Sequence, residues 1–240
     1  TNALKEALKD AEKQGWSRPE KIRFWRSSMK SIIKKSLENI EIEGLISRRT
    51  YSLFERIEFL EKSVYPNEKG YVNGVLAPTF TSQIVNDPKP LPEAVRGESL
   101  TIAEISIGEL RTAKNWPIQF GDIFPIEESI QDNYQVPGLR LFSENRAIAL
   151  AAWFSSLEPI KLEIDKNRLL LEALEDDKWL VTDLAGKDAE LLNKKFKESK
   201  NKSFGYQFIA IQSNPYIEEF AGFWMLKDID LNLSLIHISD

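Results

Sequence analysis

Apolar positions fall at helical spacing in the first quarter of the chain and alternate singly through much of the rest. Ala3, Leu4, Ala7 and Ala11 share one face of a helix over 2–14, with Lys and Glu elsewhere, and Gly15 ends it. The stretch from Lys21 to Arg26 alternates as a short strand. Met29, Ile32, Ile33, Leu37 and Ile40 then recur at helical spacing, which predicts a helix from about Ser27 to Ile42 with that face in the core and Gly44 closing it. Thr50 stands where an N-cap would for a helix from Tyr51 to about Val64.

Pattern gives way to punctuation over 66–98, where Pro66, Gly70, Gly74, Pro78, Pro88, Pro90, Pro92 and Gly97 mark a linker, with a strand or extended crossing from Val75 to Val85. Alternation resumes at Leu100–Ile105, and Ser106 is placed to cap a short helix running to Lys114. Trp116 to Pro137 reads as irregular and Gly138 to Ser143 as a strand. A helix follows from Arg146 to Leu157, ended ahead of Pro159. Strands are expected at Ile160–Ile164, Arg168–Ala173 and Lys178–Asp183, with Asp176 and Asp177 at a turn. A polar helix over Lys187–Lys200 precedes an antiparallel pair, Tyr206–Gln212 and Phe220–Leu226, around Asn214-Pro215. The fold class that follows is α/β or α+β in two domains: residues 1–65, the linker 66–98, and a mixed-sheet domain over 99–230.

Composition sharpens this picture. The chain has 240 residues, 42% hydrophobic and 29% charged, the balance of a globular protein. No apolar run approaches the roughly 20 residues of a membrane span. There is no cysteine, which excludes disulfides and thiolate metal sites. The net charge of -5 is unevenly spread: residues 1–65 hold 14 Lys and Arg against 10 Asp and Glu, and the remainder 18 against 27. A basic first part on an acidic remainder predicts one surface for a polyanion. The chain opens at Thr1 inside a helical pattern, and Leu233 to Asp240 resembles a translated sequencing adapter, so 231–240 is expected to be a non-native tail. It contains His237, the only histidine.

Positive charge and aromatics interleave most densely at Lys21-Ile22-Arg23-Phe24-Trp25-Arg26, continuing to Lys30, Lys34 and Lys35. Cations suit phosphates and flat rings suit bases, although a solvated basic helix face beside a buried strand would show the same run. Arg23 and Trp25 share one face of the strand and Phe24 and Arg26 the other; Arg23 with Trp25 is the pair expected outside, with Phe24 in the core. Arg48 and Arg49, just ahead of the helix at Tyr51, sit where a phosphate is favoured, or where they pair with Glu55 or Glu58. No phosphate-cradling loop or dinucleotide fingerprint is present, and no cofactor is expected. Glu163 and Asp165 with Lys166 form an acid-x-acid-Lys string of the kind metal-dependent nucleases use, but alternation puts both acids on the solvent face opposite Leu162 and Ile164. Asp176-Asp177, Glu127-Glu128 and Glu218-Glu219 read as solvated turn acids, and Trp116, Trp153, Trp179 and Trp224 as core.

An ordered set of strings carries a resemblance over residues 2 to 228. It comprises Lys21-Ile22-Arg23-Phe24-Trp25-Arg26 with Met29, Ser47-Arg48-Arg49-Thr50-Tyr51, Val64-Tyr65-Pro66, Pro90-Leu91-Pro92-Glu93, Phe120-Gly121-Asp122-Ile123-Phe124-Pro125, Val136-Pro137-Gly138, Lys178-Trp179, Phe208 through Ser213, and Ala221 through Leu226. The chain resembles the Tab-two-like family of cyanobacteria and chloroplasts. The resemblance implies an RNA-binding factor for translation of a photosystem I subunit, not an enzyme. It further implies single-stranded RNA, a messenger leader, as partner, with photosystem or ribosomal proteins as further partners, in the cyanobacterial cytoplasm or the chloroplast stroma. It also implies an N-terminal domain lacking strands that open the family's pattern, in an order that permits a ribonuclease-H-like sheet. RNA contacts are then expected from Arg23, Trp25, Arg26, Lys30, Lys34, Arg48, Arg49 and Tyr51. Two other functions fit the residues: a metal-dependent nuclease, and an assembly scaffold that binds protein through its acidic domain.

Overall fold

Two units make up the chain, Thr1–Asn73 and Gly74–Asp240. The computed structural model describes residues 2–24, 29–47, 49–71, 87–173, 178–184, 186 and 189–228, apart from the side chains of Phe54 and Glu58. The fold is α+β.

In the first unit, helix α1 (Asn2–Lys13) ends in a Schellman turn: the Trp16 N–H donates to the Ala11 carbonyl and the Gly15 N–H to that of Glu12. Gly15 takes φ +87, the left-handed conformation the turn needs. Strand β1 (Lys21–Phe24), helix α2 (Lys30–Glu38) and strand β2 (Glu43–Ile46) then form a β-α-β unit whose strands pair in parallel, Lys21 with Glu43 through Phe24 with Ile46. The helix expected to reach Ile42 stops at Glu38, and a turn over residues 39–41 leads into β2. Gly44 is not a helix stop but a strand residue beneath α2: a Cβ on it would stand 2.8 Å from Leu37 Cδ1. Glycine is there because helix and strand approach closely.

The face of α2 expected to be core is only partly so. Ile32 is 66% exposed and Met29 is exposed, Ile33 is half-buried, and Leu37 is 1% exposed. Burial grows along the helix because only its C-terminal half lies over a sheet of two strands. Phe24, Leu37, Ile40 and Ile42 form the small core, joined by Leu4, Leu8, Ile22, Ile33 and Ile46. Helix α3 (Tyr51–Phe59) runs on into a π-helical turn, Leu60–Val64. Thr50 precedes it as expected, but its side chain makes no capping bond.

The second unit holds two sheets. Its elements are β3 (Lys89–Pro90), β4 (Ser99–Ser106), α4 (Ile107–Arg111), β5 (Ile118–Asp122), β6 (Gln135–Phe142), α5 (Ala147–Leu157), β7 (Pro159–Asp165), β8 (Arg168–Ala173), β9 (Lys178–Asp183), α6 (Ala189–Lys202), β10 (Tyr206–Gln212) and β11 (Phe220–Lys227). The larger sheet runs β4-β6-β10-β11-β5 and the smaller β3-β9-β8-β7. Two elements depart from the sequence pattern. Strand β5 lies in a stretch that reads as irregular, paired in parallel with β11. Strand β6 starts at Gln135, three residues before Gly138. It tolerates Pro137 because β10 joins only from Gly138 onward, so the proline is laddered on the β4 side alone. Ser106 caps α4 in a full capping box with Glu109. The expected strand over Val75–Val85 and the turn at Asp176 lie outside the described residues.

The larger sheet is covered on both faces, which explains why every residue of β10 is buried. On one side, Leu139, Leu141, Ile209, Ile211 and Trp224 pack with Leu150 and Phe154 of α5 and with Leu162, Ile164, Leu169 and Leu171 of the smaller sheet. On the other, Ile107, Leu110, Val136, Phe208, Phe223 and Met225 close over Ile126 and Ile130. Gln207 joins the two sheets. It is fully buried, and its side-chain amide both donates to and accepts from the backbone of Leu162 on β7, each at 2.8 Å.

Candidate nucleic-acid interface

Strand alternation sorts the basic segment of the first unit. Ile22 and Phe24 point to the core, so Lys21 and Arg23 take the opposite, exposed face, beside Glu43 and Leu45 of β2. Lys21 Nζ lies 3.3 Å from the Glu43 carboxylate with both side chains more than half exposed, an ion pair that solvent weakens. Arg23 donates from Nη1 to Ser47 Oγ at 3.3 Å. Ser47 is buried and also accepts the Arg49 backbone N–H, at 3.0 Å. One hydroxyl thus fixes an exposed guanidinium and the approach to α3.

The remaining expected contacts separate. Lys30 is exposed at the start of α2, and Lys34 is half-buried, its stem reaching over Gly44. Tyr51 is half-buried. Arg49 is 7% exposed, so in this conformation its side chain is buried. Trp25, Arg26 and Arg48 lie outside the described residues. The geometry adds Trp16, which reads in the sequence only as part of a loop. Its ring is 70% exposed, although the position after a Schellman glycine often carries an apolar residue that packs back on the helix. The sequence signal was the order Gly15-Trp16-Ser17-Arg18: an indole in a turn, two residues from an arginine that is also exposed.

The acids show a different chemistry. Glu163 and Asp165 lie on the outer face of β7, where Glu163 pairs with Lys178 at 3.9 Å and Asp165 with Arg168 at 3.1 Å. Among the described residues no group of three or more metal-ligating side chains comes together. The strongest charge cluster of the second unit joins Lys161, Lys200 and Asp228: Lys200 Nζ is 2.6 Å and Lys161 Nζ 3.2 Å from the Asp228 carboxylate. Burial pushes the Asp228 carboxyl up, but the Lys200 hydrogen bond and then the Lys161 charge outweigh it and hold it below its ordinary value. Burial likewise pushes the Lys161 ammonium down, and Asp228 and Glu172 reverse that to a raised value. These are framework charges.

What the fold and these side chains define is an α+β protein whose first unit offers exposed cations and an exposed indole, the surface a polyanion with flat bases would meet. The comparisons with known proteins agree, and the chain belongs to the Tab2-like family of RNA-binding proteins. The family description "RNA-binding protein Tab2/Atab2 N terminal" matches residues 1–59, and "RNA-binding protein Tab2/Atab2, C-terminal domain" matches residues 79–227. A "Protein TAB2 homolog, chloroplastic" of Arabidopsis thaliana is 30% identical over 228 residues, covering 88% of this chain and 58% of the relative. The protein of the same description from Zea mays is 28% identical over 238 residues, covering 94% of this chain and 60% of the relative. The chain therefore spans about three fifths of the length of these relatives. No solved structure matches it. The family is described by RNA binding, not by an enzymatic activity.

Proposed function

We propose that this chain binds single-stranded RNA, a messenger leader, and supports the synthesis of photosystem subunits in the chloroplast stroma or its cyanobacterial equivalent. The observation that carries the RNA part is the exposure of Lys21, Arg23, Lys30 and Trp16 in the first unit, in a chain that matches an RNA-binding family at both of its units. The cellular role is supported by relatives described as chloroplastic. Arg23, Lys30 and Lys34 hold phosphates in this reading and Trp16 stacks on a base. By sequence position Trp25, Arg26 and Arg48 belong with them; Arg49 serves as framework and Tyr51 flanks the site.

The test is fluorescence anisotropy of a labelled A/U-rich single-stranded RNA across a salt series, comparing wild type with Arg23→Glu/Lys30→Glu. Each phosphate contact contributes about -0.7 to the slope of log affinity against log salt for a single strand. The expected result is a steep negative slope for wild type. The variant should bind at least tenfold more weakly with a shallower slope, at unchanged circular dichroism. Equal binding by both proteins would remove Arg23 and Lys30 from the site.

A further inference from the structure

Helix α6 is a basic element inside an acidic unit, and the turn after it carries a residue that its backbone does not favour. The two helices α1 and α6 end in the same way but with different residues. In α6 the Gly205 N–H donates to the Lys200 carbonyl and the Phe204 N–H to that of Asn201, the two bonds of a Schellman turn. In α1 the left-handed position of that turn is Gly15; in α6 it is Phe204, at φ +56. The glycine stands one place later because a Cβ at residue 205 would lie 2.6 Å from the Asp228 carbonyl oxygen. That accounts for Gly205 and leaves Phe204 unaccounted for. A bulky residue in the left-handed region is strained, and Phe204 recovers little by packing, since it is 59% exposed. Strain held without a packing return points to a use for the side chain.

The helix leading into it supplies charge. Lys195 and Lys202 are seven residues apart, two turns, so they share one side of α6 about 10 Å apart along its axis. Both are exposed, and among the described residues neither makes an ion pair. The acid between them, Glu198, is taken up by Lys194 at 3.9 Å. Lys200 is engaged with Asp228, and Glu104 accepts a hydrogen bond from Ser199. Uncompensated ammonium groups therefore lead along one side of the helix to an exposed aromatic ring.

We propose that α6 and its terminal turn form a second contact for single-stranded RNA, in which Lys195 and Lys202 hold phosphates and Phe204 stacks on a base. This inference rests on the RNA-binding reading above and assigns a separate surface in the other unit.

The experiment titrates a labelled 16-nucleotide oligouridylate with the full chain, as wild type, Lys195→Glu/Lys202→Glu, Phe204→Gly, Phe204→Tyr and Arg23→Glu/Lys30→Glu. Lys195→Glu/Lys202→Glu should bind at least tenfold more weakly with a salt slope shallower by about 1.4, two contacts' worth. Phe204→Gly should lose at least about fivefold in affinity while its melting temperature rises, because glycine relieves the strain. Phe204→Tyr should bind as wild type. Wild-type affinity in the α6 and Phe204→Gly variants, with loss only in Arg23→Glu/Lys30→Glu, would overturn the second contact and leave the RNA reading standing. A lowered melting temperature in Phe204→Gly would make Phe204 a packing residue and overturn its stacking role. No binding by wild type would overturn both.

Discussion

At the scale of single residues, buried polar groups show how the second unit is held together. Gln207 satisfies both backbone groups of Leu162 across the gap between the two sheets. Gln207→Leu would leave that N–H and C=O buried without partners, and each costs about 1–3 kcal/mol. Urea unfolding should therefore show a loss of about 2–6 kcal/mol, larger than the loss of one ordinary hydrogen bond. Asp228 and Lys161 set the pH behaviour. The Asp228 pKa is lowered in the folded state, so its stabilisation is present above the unfolded value near 3.8 and lost as pH falls through the lower folded value. The Lys161 pKa is raised, so its contribution is present below the unfolded value near 10.5 and lost as pH rises through the higher folded value. Both are intact between about pH 5 and 9. Asp228→Asn should lower the urea midpoint throughout that range and flatten the fall in stability below pH 4. Neither Gln207 nor Asp228 can be singled out in the sequence, because what each does depends on strands far away along the chain. The burial of Arg49 is hidden for the same reason: an arginine ahead of a helix reads alike in the sequence whether the fold buries it or not.

At the scale of elements, strands were most legible where both of their ends are punctuated. Strands β8, β9 and β10 lie at the expected bounds and β11 ends one residue later, and the capping box at Ser106 follows from its Ser-x-x-Glu spacing. Strands β2 and β5 were hidden because each carries a glycine that serves close packing rather than a turn. A Cβ at residue 121 would meet the Phe223 carbonyl oxygen, as one at residue 44 would meet Leu37. Gly44→Ala should accordingly destabilise the first unit by about 1–3 kcal/mol through overpacking. The check is unfolding followed by the fluorescence of a tryptophan in the first unit, with the other tryptophans replaced by phenylalanine. An unchanged midpoint would mean that α2 shifts freely on β2.

At the scale of the whole molecule, the uneven charge was the most informative feature of the sequence. Residues 1–65 carry a net charge of +4 and the remainder -9, and Trp16, Lys21, Arg23 and Lys30 of the first unit are all exposed. The order Gly15-Trp16-Ser17-Arg18 places an indole in a turn, but the exposure of Trp16 and Phe204 was not legible, since an aromatic residue in a turn is as often folded back onto a core. The account's central claim is that RNA meets the exposed residues Trp16, Arg23 and Lys30 of the first unit. The most direct measurement is photo-crosslinking of a 4-thiouridine-containing single-stranded RNA to the full chain, with the modified peptides identified by mass spectrometry. The account expects cross-links within residues 14–35, suppressed by unlabelled competitor RNA and by high salt. Cross-links confined to other parts of the chain, with none in that segment, would contradict it.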